Sequence, residues 1–215
     1  MLASSYLLRQ PLMKPPPQRH SPLLPRWTLL SLLTLASAPA LAHPHVWVNY
    51  EVSVVYQKAL IVALKQRWTF DEDFTSAVLT DIGKAKIKTL DKATAAKVRA
   101  NAFDNLANYG YFQHVSAGGK PVPLKPPSDF TAKLSGEKMV YEFTLPLAQP
   151  VNPRLVQVNM GWWDESFFVD YEPVSPKAVS LSGDGANGCV VTSAEDHAHP
   201  IFYGTINPLL WKLNC

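Results

Sequence analysis

The chain has 215 residues, with 20 Lys and Arg against 17 Asp and Glu and a formal net charge of +3. Four of those cations (Arg9, Lys14, Arg19, Arg26) and no acid fall in the first 42 residues, so residues 43–215 are close to neutral. That balance leaves no basic footprint for a nucleic-acid partner, and the length fits one domain rather than several.

The early cations precede an apolar run, Trp27 to Ala36, and then Ser37-Ala38-Pro39-Ala40-Leu41-Ala42. Cationic start, short apolar run and small residues are the three-part plan of a cleavable export signal. A run of about ten residues is too short to span a bilayer as a helix, which takes about 20. Residues 1–42 are therefore expected to be removed as a signal peptide, with Met1 or Met13 as the start, and the mature protein to be periplasmic. No later stretch reaches transmembrane length, and no Cys at the cleavage point offers a lipid anchor.

From residue 46 the pattern is β. Val46, Val48, Tyr50, Val52, Val54 and Tyr56 fall on one face, and Trp47, Asn49, Glu51 and Ser53 on the other, which predicts a half-buried strand. Gln57-Lys58 reads as a turn, and Ala59 to Phe70 as the partner strand, with Leu60, Val62, Leu64, Trp68 and Phe70 in one register. A short helix is expected after Asp71-Glu72-Asp73, because acids suit the positive end of a helix dipole. A longer one is expected after Asp91, with Ala95, Val98, Ala102, Leu106 and Tyr109 at helical spacing and Gly110 as the stop. Strand candidates follow at Tyr111–Val115, Phe130–Leu134, Met139–Leu145, Leu155–Met160, Phe167–Tyr171, Val179–Leu181 and Cys189–Val191. The whole reads as α+β: one antiparallel β-rich domain (43–195) with one or two helices inserted after the first hairpin. Residues 196–215 lose the alternation and read as a tail packed back by Phe202, Tyr203 and Trp211. Cys189 and Cys215 in an exported protein favour one disulfide. It would close a loop of about 27 residues, worth about 3.5 kcal/mol in the chain-entropy model.

The residues with most chemistry are His43 and His45. Cleavage after Ala42 makes His43 the N-terminus, so an amine and two imidazoles lie within three residues. Residues i and i+2 of an extended chain point to one side, with Cα atoms about 7 Å apart, and two such rings can converge on one ion. Imidazoles with an amine suit Cu(II), Ni(II) or Zn(II). Pro44 lacks an amide N–H, which blocks the square-planar mode that uses deprotonated amides. A further ligand must come from elsewhere. Asp71 and Glu72 rank first, because the hairpin returns the second strand to the start of the first; Asp170 follows. Helix capping is the competing role for Asp71 and Glu72. His197 and His199 form a second, weaker pair beside Glu195-Asp196. His114 reads as a partly buried strand residue, and Trp162-Trp163 beside Asp164-Glu165 as core packing. No nucleophile elbow, P-loop or dinucleotide fingerprint is present, and no enzyme activity is expected.

Several pieces in order resemble a family of periplasmic proteins, domain of unknown function 1007. They are Ala42-His43-Pro44-His45-Val46-Trp47, Trp68-Thr69-Phe70-Asp71-Glu72, Asn108-Tyr109-Gly110-Tyr111-Phe112 and Pro127-Ser128-Asp129-Phe130, then Phe143-Thr144-Leu145-Pro146-Leu147, Phe167-Phe168-Val169-Asp170-Tyr171 and Gly188-Cys189. The resemblance implies a periplasmic component of an ABC-type transport system, often encoded beside nickel/cobalt permeases, with nickel, cobalt or zinc as its metal. Two departures stand out. Family members often carry an acidic, EF-hand-like loop between the helices, whereas here Asp81 is followed by Lys84, Lys86 and Lys88, so no calcium is expected. Trp163-Asp164-Glu165-Ser166 replaces the family's Tyr-Asp-Pro. The expectation is a non-enzymatic accessory protein that binds a divalent transition metal (Ni, Co, Zn or Cu) and docks on an inner-membrane permease. A metal-free interaction module is the alternative, and a copper enzyme with an N-terminal His ligand a remote one.

Overall fold

The structure, a computed structural model, describes residues 45–215; His43 and the expected export signal lie outside them. It opens with a hairpin of β1 (Val46–Gln57) and β2 (Leu60–Phe70). Lys58 and Ala59 between them both hold positive φ (50° and 62°), the handedness that suits a two-residue turn between twisted strands. β1 alternates as predicted, with Val48, Tyr50, Val52 and Val54 buried and Asn49 and Glu51 exposed. In β2 a register irregularity between Ile61 and Ala63 shifts the pattern, so Ile61 is buried while Leu60 and Val62 are only half-buried.

Helices α1 (Glu72–Asp81) and α2 (Lys92–Val98) follow, each begun by an aspartate whose carboxylate accepts from a first-turn N–H: Asp71 from Phe74, Asp91 from Thr94. Beyond α2 the helical path widens over Arg99–Phe103 and tightens over Asp104–Phe112. It ends on three consecutive left-handed residues, Gly110, Tyr111 and Phe112, with φ of 58°, 55° and 52°. Among the described residues no helix is long and apolar enough to cross a membrane.

The remaining strands are β3 (Gln113–Ala117), β4 (Lys120–Pro121), β5 (Ser128–Ser135), β6 (Lys138–Val151), β7 (Val158–Trp162), β8 (Val169–Pro173), β9 (Val179–Gly183), β10 (Val190–Glu195) and β11 (Leu209–Asn214). One sheet has the order β5-β6-β2-β1-β8, with β9 also pairing β1; the other has the order β10-β11-β7-β3-β4. The molecule is thus β-rich and broadly α+β. The sheets are not wholly antiparallel, however. The first half of β1 runs parallel to β8 and the second half parallel to β9. A parallel pair needs a long crossover, and here everything from β2 to β7 supplies it. β7 starts three residues later than expected, leaving Leu155 80% exposed.

The inner faces of the two sheets meet in an aromatic core with a thin polar seam. Tyr50 stacks on Trp162 at 4.8 Å and accepts a hydrogen bond from Trp211 Nε1 at 2.8 Å. Gln66 is buried among these rings. Its Oε1 accepts from Trp162 Nε1, and its Nε2 donates to Gln113 Oε1. Buried amides need such partners, since an unpaired one costs about 1–3 kcal/mol. Cys189 and Cys215 form a disulfide beside the β10–β11 ladder, where Val190 pairs with Asn214. The segment read as a packed-back tail contributes β11, an interior strand between β10 and β7. Trp211 is buried as expected of the tail aromatics, but Tyr203 stands 97% exposed.

Candidate functional site

The start of β1 is where the expected ligands must be sought. The His45 N–H donates to Phe168 O at 2.9 Å, and its ring lies 4.8 Å from the Phe168 ring. Val46 pairs with Val169, and Trp47 with Asp170. Register partners in a sheet point to the same face, so Trp47 and Asp170 stand side by side on the outer face, one step from His45 and Phe168. Trp47 is 45% and Phe168 46% exposed, which makes this edge an open aromatic and acidic patch.

Asp71 also reaches this edge, from the end of β2, but its carboxylate is occupied. Oδ2 accepts from Trp47 N–H and Oδ1 from Phe74 N–H, both at 2.8 Å. Asp71 N–H donates back to Trp47 O. The residue therefore ties β1 to the first turn of α1, and the capping role accounts for both oxygens. Glu72 turns toward Lys138, with Nζ and Oε1 3.5 Å apart. The hairpin argument places Asp71 near His45; it could not foresee that the strand and the helix each claim one oxygen.

Asp170 differs. It is half-buried and has no hydrogen-bond or ion-pair partner among the described residues. Burial first, and then the neighbouring Glu172 charge, push its carboxyl above the ordinary aspartate range. An acid left without a counter-charge beside a second acid is a place where a cation relieves an existing cost. Of the three acids that the sequence offers, Asp71 and Glu72 are engaged by neighbours, whereas Asp170 has no such partner among the described residues.

The sign of the titration follows. A raised native pKa means that folding strengthens proton binding at Asp170. Its contribution is most favourable below the unfolded aspartate pKa and is lost as pH rises through the native one. Metal-free Asp170→Asn protein is therefore expected to melt above the wild type at neutral pH. The two should converge in acid, below the ordinary aspartate range. Melting curves at both pH values check this, and an equal offset at both would refute it.

The other histidines do not join this edge set. His197 Nε2 lies 3.6 Å from Glu195 Oε2, while His199 Nδ1 lies 2.9 Å from Asp196 Oδ2, so the pair divides between two acids. His114 stacks on Trp163 at 3.8 Å and 6°, with Nε2 3.0 Å from Trp163 O, and burial lowers its pKa. Gly161 allows that stack, because a Cβ there would sit 1.9 Å from the indole. Trp162 is core, and Trp163 Nε1 donates to Glu165. Among the described residues no three His, Cys, Asp or Glu side chains form a metal-binding group. His45 and Asp170 belong to neighbouring strands, and no third such side chain joins them among the described residues.

A family model described as "Protein of unknown function (DUF1007)" matches residues 28–200. An uncharacterised protein of Haemophilus influenzae is 25% identical over 149 residues, 68% of this chain and 70% of its own length. An uncharacterised 15.5 kDa protein in the trpE 3' region of Spirochaeta aurantia is 29% identical over 94 residues, 43% of this chain and 66% of its own.

Proposed function

We propose, from the premise that this chain belongs to the DUF1007 family, that it is a non-enzymatic, exported accessory protein of a transport system and handles a divalent transition metal. The single observation that carries the metal reading is Asp170: a half-buried carboxylate without a partner among the described residues, next to Glu172 and one register step from His45. His45 and Asp170 supply one imidazole nitrogen and one carboxylate oxygen. His43, as the mature N-terminus, brings a second imidazole and an amine. Mixed nitrogen and oxygen donors suit Ni(II), Co(II), Zn(II) or Cu(II). The ion neutralises Asp170 and ties the N-terminal segment to β8. Asp71 acts beside the ligands rather than among them, fixing the direction in which β1 starts. The transport partner, an inner-membrane permease, rests on the family resemblance.

The test is a calorimetric titration of each metal into mature protein that begins at His43 without a tag. Stoichiometric binding is expected, with His45→Ala and Asp170→Asn each weakening it at least roughly tenfold, about 1.4 kcal/mol. Equal affinity in the double variant would refute the site. The exposed Trp47 and Phe168 favour a second reading, a docking face that works without metal. Capture of the permease that survives a chelator would support that reading over the first.

A further inference from the structure

On the inner side of the same strands lies a cavity of about 320 Å³, within the size range of small-molecule sites. Val46, Phe70, Leu106, Phe112, Phe168 and Val169 make most of its wall. Seven of its twelve lining residues come from four of the segments on which the family resemblance rests, at the start of β1, the end of β2, Asn108–Phe112 and Phe167–Tyr171. Segments far apart in the chain thus meet at this space.

The wall carries a conformational cost. Phe112, which lines the cavity, and Phe167, next to the lining residue Phe168, both have left-handed backbones (φ 52° and 53°), which disfavour a bulky side chain by about 1–2 kcal/mol each. Strain of this kind persists only where surrounding structure imposes it, and it gathers at ligand sites. Trp163 N–H donates to Phe112 O and Phe167 N–H to Asp164 O, which links the two segments. Asp164 and Ser166 line the mouth but are occupied. Asp164 accepts from Ser166 N, Ser166 Oγ and Val169 N.

Two phenol side chains remain, Tyr109 at the exposed rim and Tyr171 deeper in. Tyr171 lines the cavity, is 9% exposed, and its hydroxyl has no hydrogen-bond partner among the described residues. A phenol hydroxyl is an O–H donor at neutral pH. The hydroxyl is accessible from the cavity rather than sealed in, so an acceptor on a bound molecule can take the place of water there. The nearby Asp164 charge disfavours an anionic acceptor. Capture of Val169 N–H by Asp164 blocks the sheet edge beside the mouth, which disfavours an added peptide strand.

We propose that this cavity is a binding site for a compact, uncharged small molecule with an aromatic or branched aliphatic body and one hydrogen-bond acceptor, which the Tyr171 hydroxyl receives. The site uses none of the proposed metal donors, although Phe168, which lines it, also packs against the His45 ring.

The test is a methyl NMR titration of the full mature chain with acetophenone, ethylbenzene and benzoate. Acetophenone is expected to shift the Val46, Leu106 and Val169 methyl signals saturably. Ethylbenzene, which lacks the acceptor, should bind roughly threefold to tenfold more weakly, and benzoate more weakly still. Tyr171→Phe should remove the difference between acetophenone and ethylbenzene. Leu106→Trp should fill the space and abolish binding, with Ala102→Leu as the milder filler should the first variant not fold. The proposal is overturned if neither neutral ring shifts these methyls up to its solubility. Benzoate binding as well as acetophenone, or undiminished binding in a folded filled variant, overturns it too.

Discussion

Trp68→Ala is expected to destabilise the protein by about 3–5 kcal/mol, the usual cost of emptying a large aromatic site in a packed core. Trp68 is fully buried and meets Phe143 edge-on at 4.9 Å and Tyr171 at 5.2 Å, so its loss opens a void on the inner face of the first sheet, beside a residue of the cavity wall. Trp68→Phe should cost much less than half of that. Its Nε1 is buried without a partner among the described residues, so the smaller ring removes an unsatisfied N–H along with the lost contacts. Denaturant unfolding of both variants decides the point. Equal losses would show that the indole N–H is paired after all.

Loss of the Cys189–Cys215 bond is expected to rank next. The two residues are separated by 26 positions, and releasing a loop of that size restores about 3.5 kcal/mol of unfolded-chain entropy. For a domain of this size that lowers Tm by roughly 10 °C. The damage should be local as well. β10 is an edge strand with most of its side chains exposed, whereas β11 is held by β7 on its other side and by buried Trp211 and Leu213. Cys189→Ser/Cys215→Ser protein should therefore show faster amide exchange in β10 than in β11. A melting temperature within about 1 °C of the wild type would refute the entropic account.

The strands of the first hairpin, β5 and β6 are legible in the sequence because each is half-buried, and a face turned to water imposes period two. Where burial departs from that rule, the reading slips. Ile61 and Val62 exchange roles at a register irregularity that no residue type announces. Gln66 falls on the core side by period yet is polar; only Trp162 and Gln113, distant in sequence, explain it. β11 carries too short an alternation (Trp211, Lys212, Leu213) to stand out between Pro208 and the end of the segment. The site shows the same limit. Asp71 beside the first strand follows from a hairpin, a local fact. Asp170 beside Trp47 depends on a parallel pairing across more than a hundred residues, and no turn signal records it. The surroundings of Asp170 are thus hidden in the sequence, whereas those of Asp71 follow from the hairpin.

The way β1 is shared between β8 and β9 bears on how the molecule comes into being. A ribosome releases residues 46–70 long before residues 169–183, and Tyr50 waits still longer for the indole of Trp211, 161 positions away. Contacts of such span make assembly slow. Until they arrive, the apolar side of the first hairpin is sticky and needs shielding from its neighbours. The first hairpin therefore completes its side of the core only once the last strands are present.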